Sequence, residues 1–185
     1  RCLEKLGSAG LSPVHTELRI VDSNNVAVGP DVRGEICVKG PNIMKGYWNR
    51  PEATAKAIDA EGWFHSGDVG YLDDEGYLYI CDRLKDMVIS GGENIYPAEV
   101  ERVLFEHPAI AEVAVIGLPD DKWGEAVTAV AALNAEETLT LEELRSFAES
   151  KLARYKLPLK LHVVPQLPRN PAGKVLKFQL REQLS

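Results

Sequence analysis

The sequence predicts an α+β protein, a small β-rich unit followed by a domain in which helices and strands alternate, and three observations carry that prediction. From residue 17 to 40, apolar and polar positions alternate in two short runs, with Asp22, Asn24, Asn25, Gly29 and Pro30 as turn residues between them. After residue 86 the period changes, and helical runs alternate with β-branched ones. At the junction, DRLKDMVISGGENIYPAEVE (82–101) sets a polar connector and a glycine pair before Pro97, a residue suited to a first helical position.

The elements follow in order. PEATAKAID (51–59) opens with Pro and spaces Ala53, Ala57 and Ile58 helically, so a short helix should precede a loop, GWFHSGD (62–68). YLDDEGYLYICD, with Asp74-Glu75-Gly76 at its tip, reads as a hairpin. Residues 1–81 thus form the β-rich unit, 82–86 a hinge and 87–185 the α+β domain. In that domain PAEVERVLFEHP reads as a helix with Glu99 and Glu101 in its first turn, and IAEVAVIGL and EAVTAVAAL as strands. TLEELRSFAESKLARY reads as a long helix started by a Thr140–Glu143 capping box, LKLHVV as a third strand and LKFQLREQL as a closing helix. Helices packed on one small sheet bury both sets of apolar faces.

Composition excludes several functions. A length of 185 residues accommodates two small domains, and 28 acidic against 21 basic residues, a net charge of −7, leave no electrostatic footprint for nucleic acid. Any anionic ligand must therefore be held by local cations. Cys2, Cys37 and Cys81 are far apart, which argues against a disulfide framework or a zinc site and for a reducing, cytoplasmic home. The four histidines show no metal spacing, so no metal ligand is assigned. No apolar stretch reaches membrane-spanning length, which leaves peripheral membrane contact open. The chain starts RCLEKLGSAG, without Met, and reads as a piece of a longer polypeptide.

Several residues could carry chemistry. Asp68, beside the small Ser66-Gly67 pair, could accept both hydroxyls of a vicinal diol, or simply sit in a turn at a strand entrance. Arg83 alone reads as a surface charge, and Lys174, after Gly173 in PRNPAGKVLK, as a basic residue starting a terminal helix. Gly173-Lys174 is not a phosphate-binding Walker loop, because Pro168 and Val175 occupy two of its defining positions. Trp123 with Tyr155 and Lys156 combines aromatic faces and positive charge, which suits a phosphorylated adenine ligand; packing against the sheet is the equal alternative for Tyr155. Gly91-Gly92 with Glu93 leaves room beside the backbone, or marks a tight turn.

Taken together, the 82–101 run, GWFHSGD and PRNPAGKVLK resemble the signature of the adenylate-forming (AMP-binding) superfamily. Within it, YLYICDRLKDMVISGGENIYPAEVE and LARYKLP look most like bacterial fatty-acyl-CoA ligases, and the resemblance covers essentially the whole chain as the C-terminal portion of such an enzyme. It implies an ATP-dependent acid:CoA ligase with a mobile C-terminal lid. Asp68 would grip the nucleotide ribose, Arg83 would touch the same nucleotide, Lys85 would be the pivot, and Lys174 would be the catalytic lysine. Gly91, Gly92 and Glu93 would line the pantetheine tunnel, and Trp123, Tyr155 and Lys156 would meet the rest of coenzyme A. Leu157 and Leu159 stand where some relatives carry phosphate-binding cations, so this chain departs from the pattern there. ATP with Mg2+, CoA and a small carboxylic acid are the implied ligands, and the N-terminal domain of the same enzyme is the implied partner. The magnesium site and acid pocket belong to sequence normally found before residue 1, so residues 1–185 alone are expected to be inactive. Rival readings are an aromatic-acid ligase, a carrier-protein-loading adenylation domain, a luciferase and a non-catalytic nucleotide-binding module.

Overall fold

The structure, a computed structural model, describes residues 5–185. Cys2 therefore lies outside the described residues. The chain divides into two compact units, Arg1–Lys85 and Asp86–Ser185. Both mix helix with largely antiparallel sheet, and the fold is α+β.

In the first unit, β1 (Glu17–Val21), β2 (Gly34–Lys39), β3 (Phe64–Leu72) and β4 (Leu78–Arg83) form one antiparallel sheet in chain order, with α1 (Pro51–Ala57) between β2 and β3. Ile20, Val21, Ile36, Cys37 and Val69 are its buried hydrophobic residues among those described. The hairpin expected at Asp74-Glu75-Gly76 is present: Asp73 Oδ1 accepts from the amides of Glu75 (3.0 Å) and Tyr77 (2.9 Å), and Gly76 takes φ +82°. GWFHSGD is a correction. It is strand from Phe64 onward, because Phe64 pairs with Val38 and His65 with Cys37, and irregularities in the pairing absorb the glycines. Two residues beyond this segment, Gly70 is required by close approach: a Cβ there would stand 2.4 Å from the Tyr79 carbonyl oxygen.

The second unit contains β5 (Val88–Ser90), β6 (Glu93–Ile95), α2 (Pro97–Leu104), β7 (Ile110–Asp120), β8 (Gly124–Leu133), α3 (Leu141–Ala148), β9 (Lys160–Val163) and α4 (Lys177–Leu184). The long β7–β8 pair is its centre. β7 covers one edge of β8, while β5 and the parallel β9 share the other. Alternation then sorts side chains by face. Val115, Val127, Ala129 and Ala131 pack with Val100, Leu104 and Leu144 from α2 and α3, and Ala114, Ile116, Leu118 and Val130 pack with Leu167 and with Leu180 of α4.

Two expectations change here. Gly91 (φ +60°) and Gly92 (φ +85°) are the central pair of a two-residue hairpin turn between β5 and β6, so the tight-turn alternative is the one observed. The helix expected over 140–155 keeps its Thr140–Glu143 capping box but stops at Ala148. Leu144, Ala148 and Leu152 continue the helical spacing, yet Ala153 is extended and a 3-10 turn over Arg154–Lys156 leads to Leu157, held extended by the proline that follows.

Candidate functional site

Asp68 and Arg83 face each other across β3 and β4, and the Arg83 Nε lies 2.9 Å from Asp68 Oδ1. Arg83 is half exposed, so the pair presents a carboxylate and a guanidinium together at an accessible sheet end. Sequence spacing of fifteen residues gave no sign of that contact beyond the intervening hairpin.

Behind Asp68 lies a polar cluster that sequence reading did not find. The Glu35 carboxylate accepts from the Gly67 amide (3.1 Å) and stands 2.8 Å from His65 Nδ1, while Cys37 Sγ lies 3.5 Å from the same nitrogen. His65 Nε2 is 3.6 Å from Asp59, which also receives Arg19 at 3.3 Å. Burial opposes charge on Asp59, but amides of Trp63 and Glu61, with His65 and Arg19, hold its carboxyl below the ordinary 3.8. Burial, reinforced by Glu35, pushes the Cys37 thiol from 9.0 up to about 11. The folded thiol thus keeps its proton where the unfolded one loses it, so its stabilising contribution is full below 9.0 and is lost as pH rises through about 11. Cys37 is accordingly expected to resist alkylation in the native chain at neutral pH and to react on unfolding, read by site-resolved mass spectrometry; rapid native labelling would contradict this.

Lys174 sits on a closed turn in the second unit. Asn170 donates its amide to the Lys174 carbonyl (2.9 Å) and its side-chain oxygen accepts from the Lys174 amide (2.8 Å), while Gly173 (φ +82°) donates to the Asn170 carbonyl. Arg169 clasps the turn from outside, bonded to the Gly173 carbonyl and to Glu112. The backbone is therefore fixed while the Lys174 side chain is exposed, and its ammonium makes no ion pair among the described residues.

The same unit holds a cavity of about 540 Å3 lined by Ser90, Lys122, Trp123, Arg145, Arg154, Tyr155 and Leu159. It joins two aromatic rings to three cations, with no acid in the lining. Lys122 Nζ is 4.8 Å from the Trp123 ring centre. Arg145, from α3, is fixed by donating to the Pro158 carbonyl. Lys156 is absent from the lining: its ammonium pairs with Glu99 at 2.5 Å and is largely covered. Sequence reading missed Lys122, which is adjacent to Trp123 but 33 residues from Tyr155, and Arg145, which is 22 residues from Trp123 and ten from Tyr155, because no periodic signal joins them.

Gly91 and Gly92 differ. A Cβ on Gly91 would come within 2.9 Å of the Trp123 ring, whereas Gly92 faces open space. The space a Cβ on Gly91 would need is thus filled by the cavity's own indole, whereas Gly92 has open space beside it and Glu93 is exposed. Lys85 is exposed in the 3-10 turn Leu84–Asp86.

Comparison with known proteins places the chain in a family. Residues 1–48 match the model described as AMP-binding enzyme, and residues 99–174 match the AMP-binding enzyme C-terminal domain. A long-chain-fatty-acid–CoA ligase, FadD13, of Mycobacterium tuberculosis is 50% identical over 183 residues, covering 99% of this chain and 36% of the relative. A 2-succinylbenzoate–CoA ligase of Bacillus cereus is 50% identical over 180 residues, covering 97% of this chain and 36% of the relative. Among solved structures, the o-succinylbenzoate CoA synthetase MenE of Bacillus subtilis, in complex with its acyl-adenylate intermediate, aligns with TM-score 0.88 and 47% identity over 97% of this chain and 36% of that one. The chain spans about a third of the length of these relatives, and it belongs to the AMP-binding (adenylate-forming) enzyme family.

Proposed function

We propose that the chain is the C-terminal part of an ATP-dependent acid:CoA ligase that first makes an acyl-adenylate and then an acyl thioester. One observation carries the reading: two relatives, each 50% identical across nearly the whole chain, are both named CoA ligases although their acids differ. What they share with this chain is then the machinery for nucleotide and thiol.

In the first half-reaction the acid's carboxylate oxygen attacks the α-phosphorus of ATP and pyrophosphate departs. Asp68 would accept the ribose hydroxyls, with Arg83 beside it, and the uncommitted ammonium of Lys174 would stabilise charge growing on the phosphoryl oxygens. In the second, the thiolate of CoA attacks the acyl carbon and AMP leaves. Lys174 is needed for only one of these steps, and a turn of the backbone at Lys85 would bring it in and withdraw it. The CoA adenine would rest against Trp123 and Tyr155, its phosphates facing Lys122, Arg145 and Arg154, and its pantetheine arm would pass Gly92 and Glu93.

A fatty acid is our first assignment for the acid; the 2-succinylbenzoate ligase relative supports an aromatic acid as the second. Among the described residues no helix is long and apolar enough to cross a membrane. The test is pyrophosphate release by the full-length enzyme over a panel of fatty and aromatic acids, followed by CoA-dependent release of AMP. Pyrophosphate release with thioester formed only on a carrier protein would refute the CoA assignment. In the same assay Trp123→Ala is expected to raise the KM for CoA about tenfold, the loss of one base-stacking face, and to leave the KM for ATP unchanged.

A further inference from the structure

We infer that Glu35 is a positioning residue for Asp68, an inference that rests on the assignment of Asp68 to the ribose. Asp68 directly follows three consecutive residues, His65, Ser66 and Gly67, that are tied to β2. Glu35 holds His65 through one carboxylate oxygen (2.8 Å) and the Gly67 amide through the other (3.1 Å). Ser66 donates its hydroxyl to the Ile36 carbonyl (2.8 Å) and receives the Asp68 amide (3.1 Å). The brace spans an irregularity: the pairing of β2 with β3 slips between Glu35 and Cys37, and Gly67 takes φ +70°, so regular ladder pairing with β2 is missing over 66–68, although Asp68 still pairs with Arg83 on β4. On the β2 side a carboxylate bridging a ring nitrogen and the Gly67 amide holds this stretch instead. The Asp68 carboxylate, itself only paired with the half-exposed Arg83, inherits its direction from that support.

The cluster has a competing chemistry, since Glu35, Cys37 and His65 bring one ligand atom each within 4.8 Å of one another. A metal there would need the Cys37 thiolate. Burial holds that thiol protonated, and Arg19, across from Cys37 on β1, already supplies the cation that the neighbouring Asp59 takes up. The geometry favours support of the strand over a metal site.

The experiment compares Glu35→Ala, Glu35→Gln and Asp68→Ala in the full-length enzyme, with KM for ATP and for CoA measured separately. Glu35→Ala is expected to raise the KM for ATP about tenfold while leaving that for CoA unchanged, as befits loss of one charge-assisted bond behind the ribose contact. Glu35→Gln keeps an oxygen for the Gly67 amide and should restore most of the loss. Hydrogen exchange at the Gly67 amide, measured in this chain, should accelerate in Glu35→Ala and not in Glu35→Gln. If Asp68→Ala impairs ATP use but Glu35→Ala does not, or if Glu35→Ala raises both KM values equally, the positioning role is overturned. An Asp68→Ala enzyme with normal ATP use would instead strike down the ribose assignment beneath it.

Discussion

Lys174→Ala is expected to slow acyl-adenylate formation by about 10²–10³, the usual consequence of removing one preorganised charge contact to a developing oxyanion. Thioester formation from supplied acyl-adenylate should be nearly untouched. The asymmetry follows from the turn that carries the residue. Asn170, Gly173 and Arg169 fix the backbone through hydrogen bonds that do not involve the Lys174 side chain, so deleting that side chain should leave the loop's shape intact. ATP–pyrophosphate exchange reads the first step and CoA-dependent consumption of the adenylate reads the second. Equal losses in both would remove Lys174 from phosphoryl transfer.

Leu180→Ala should destabilise the second unit by about 2–5 kcal/mol, the range for truncating a fully buried leucine that leaves a cavity. Leu180 is 1% exposed and is the one buried residue of α4, seated against Ala114, Ile116, Leu118, Val130 and Leu167. Few other contacts can compensate. Lys177 pairs with Glu101 at 2.7 Å, and Arg181 reaches Asp86 only at 3.4 Å; both are partly exposed and worth little each. Urea denaturation of the chain measures the loss. A midpoint equal to that of the parent chain would show that α4 is held by these ion pairs rather than by its leucine.

Much of this architecture was legible because the relevant signals are local. The capping box at Thr140, the proline starts of α1 and α2 and the hairpin at Asp73–Gly76 each depend on residues within a few positions of one another. Gly91-Gly92 left ligand room and a tight turn as alternative readings because the strands it joins are three residues each, too short to display a period of two. α3 was overextended because Leu152 keeps helical spacing after the backbone has left the helix, filling the core from a turn. Lys156 looked available beside Tyr155 until α2 supplied Glu99 from 57 positions away. Glu35 and His65, 30 residues apart, meet only because β2 and β3 pair with a slip that no composition or spacing announces.

The alternation along β7 and β8 gives the second unit a division of labour. One side of the sheet anchors α2 and α3, the latter supplying Arg145 to the cavity, while the other anchors α4 directly after the Lys174 turn. Alanines at 126, 129, 131 and 132 make β8 a slim partition between the two layers. Substitutions that reshape the cavity can therefore accumulate on one side of the sheet while the turn carrying Lys174 keeps its foundations on the other.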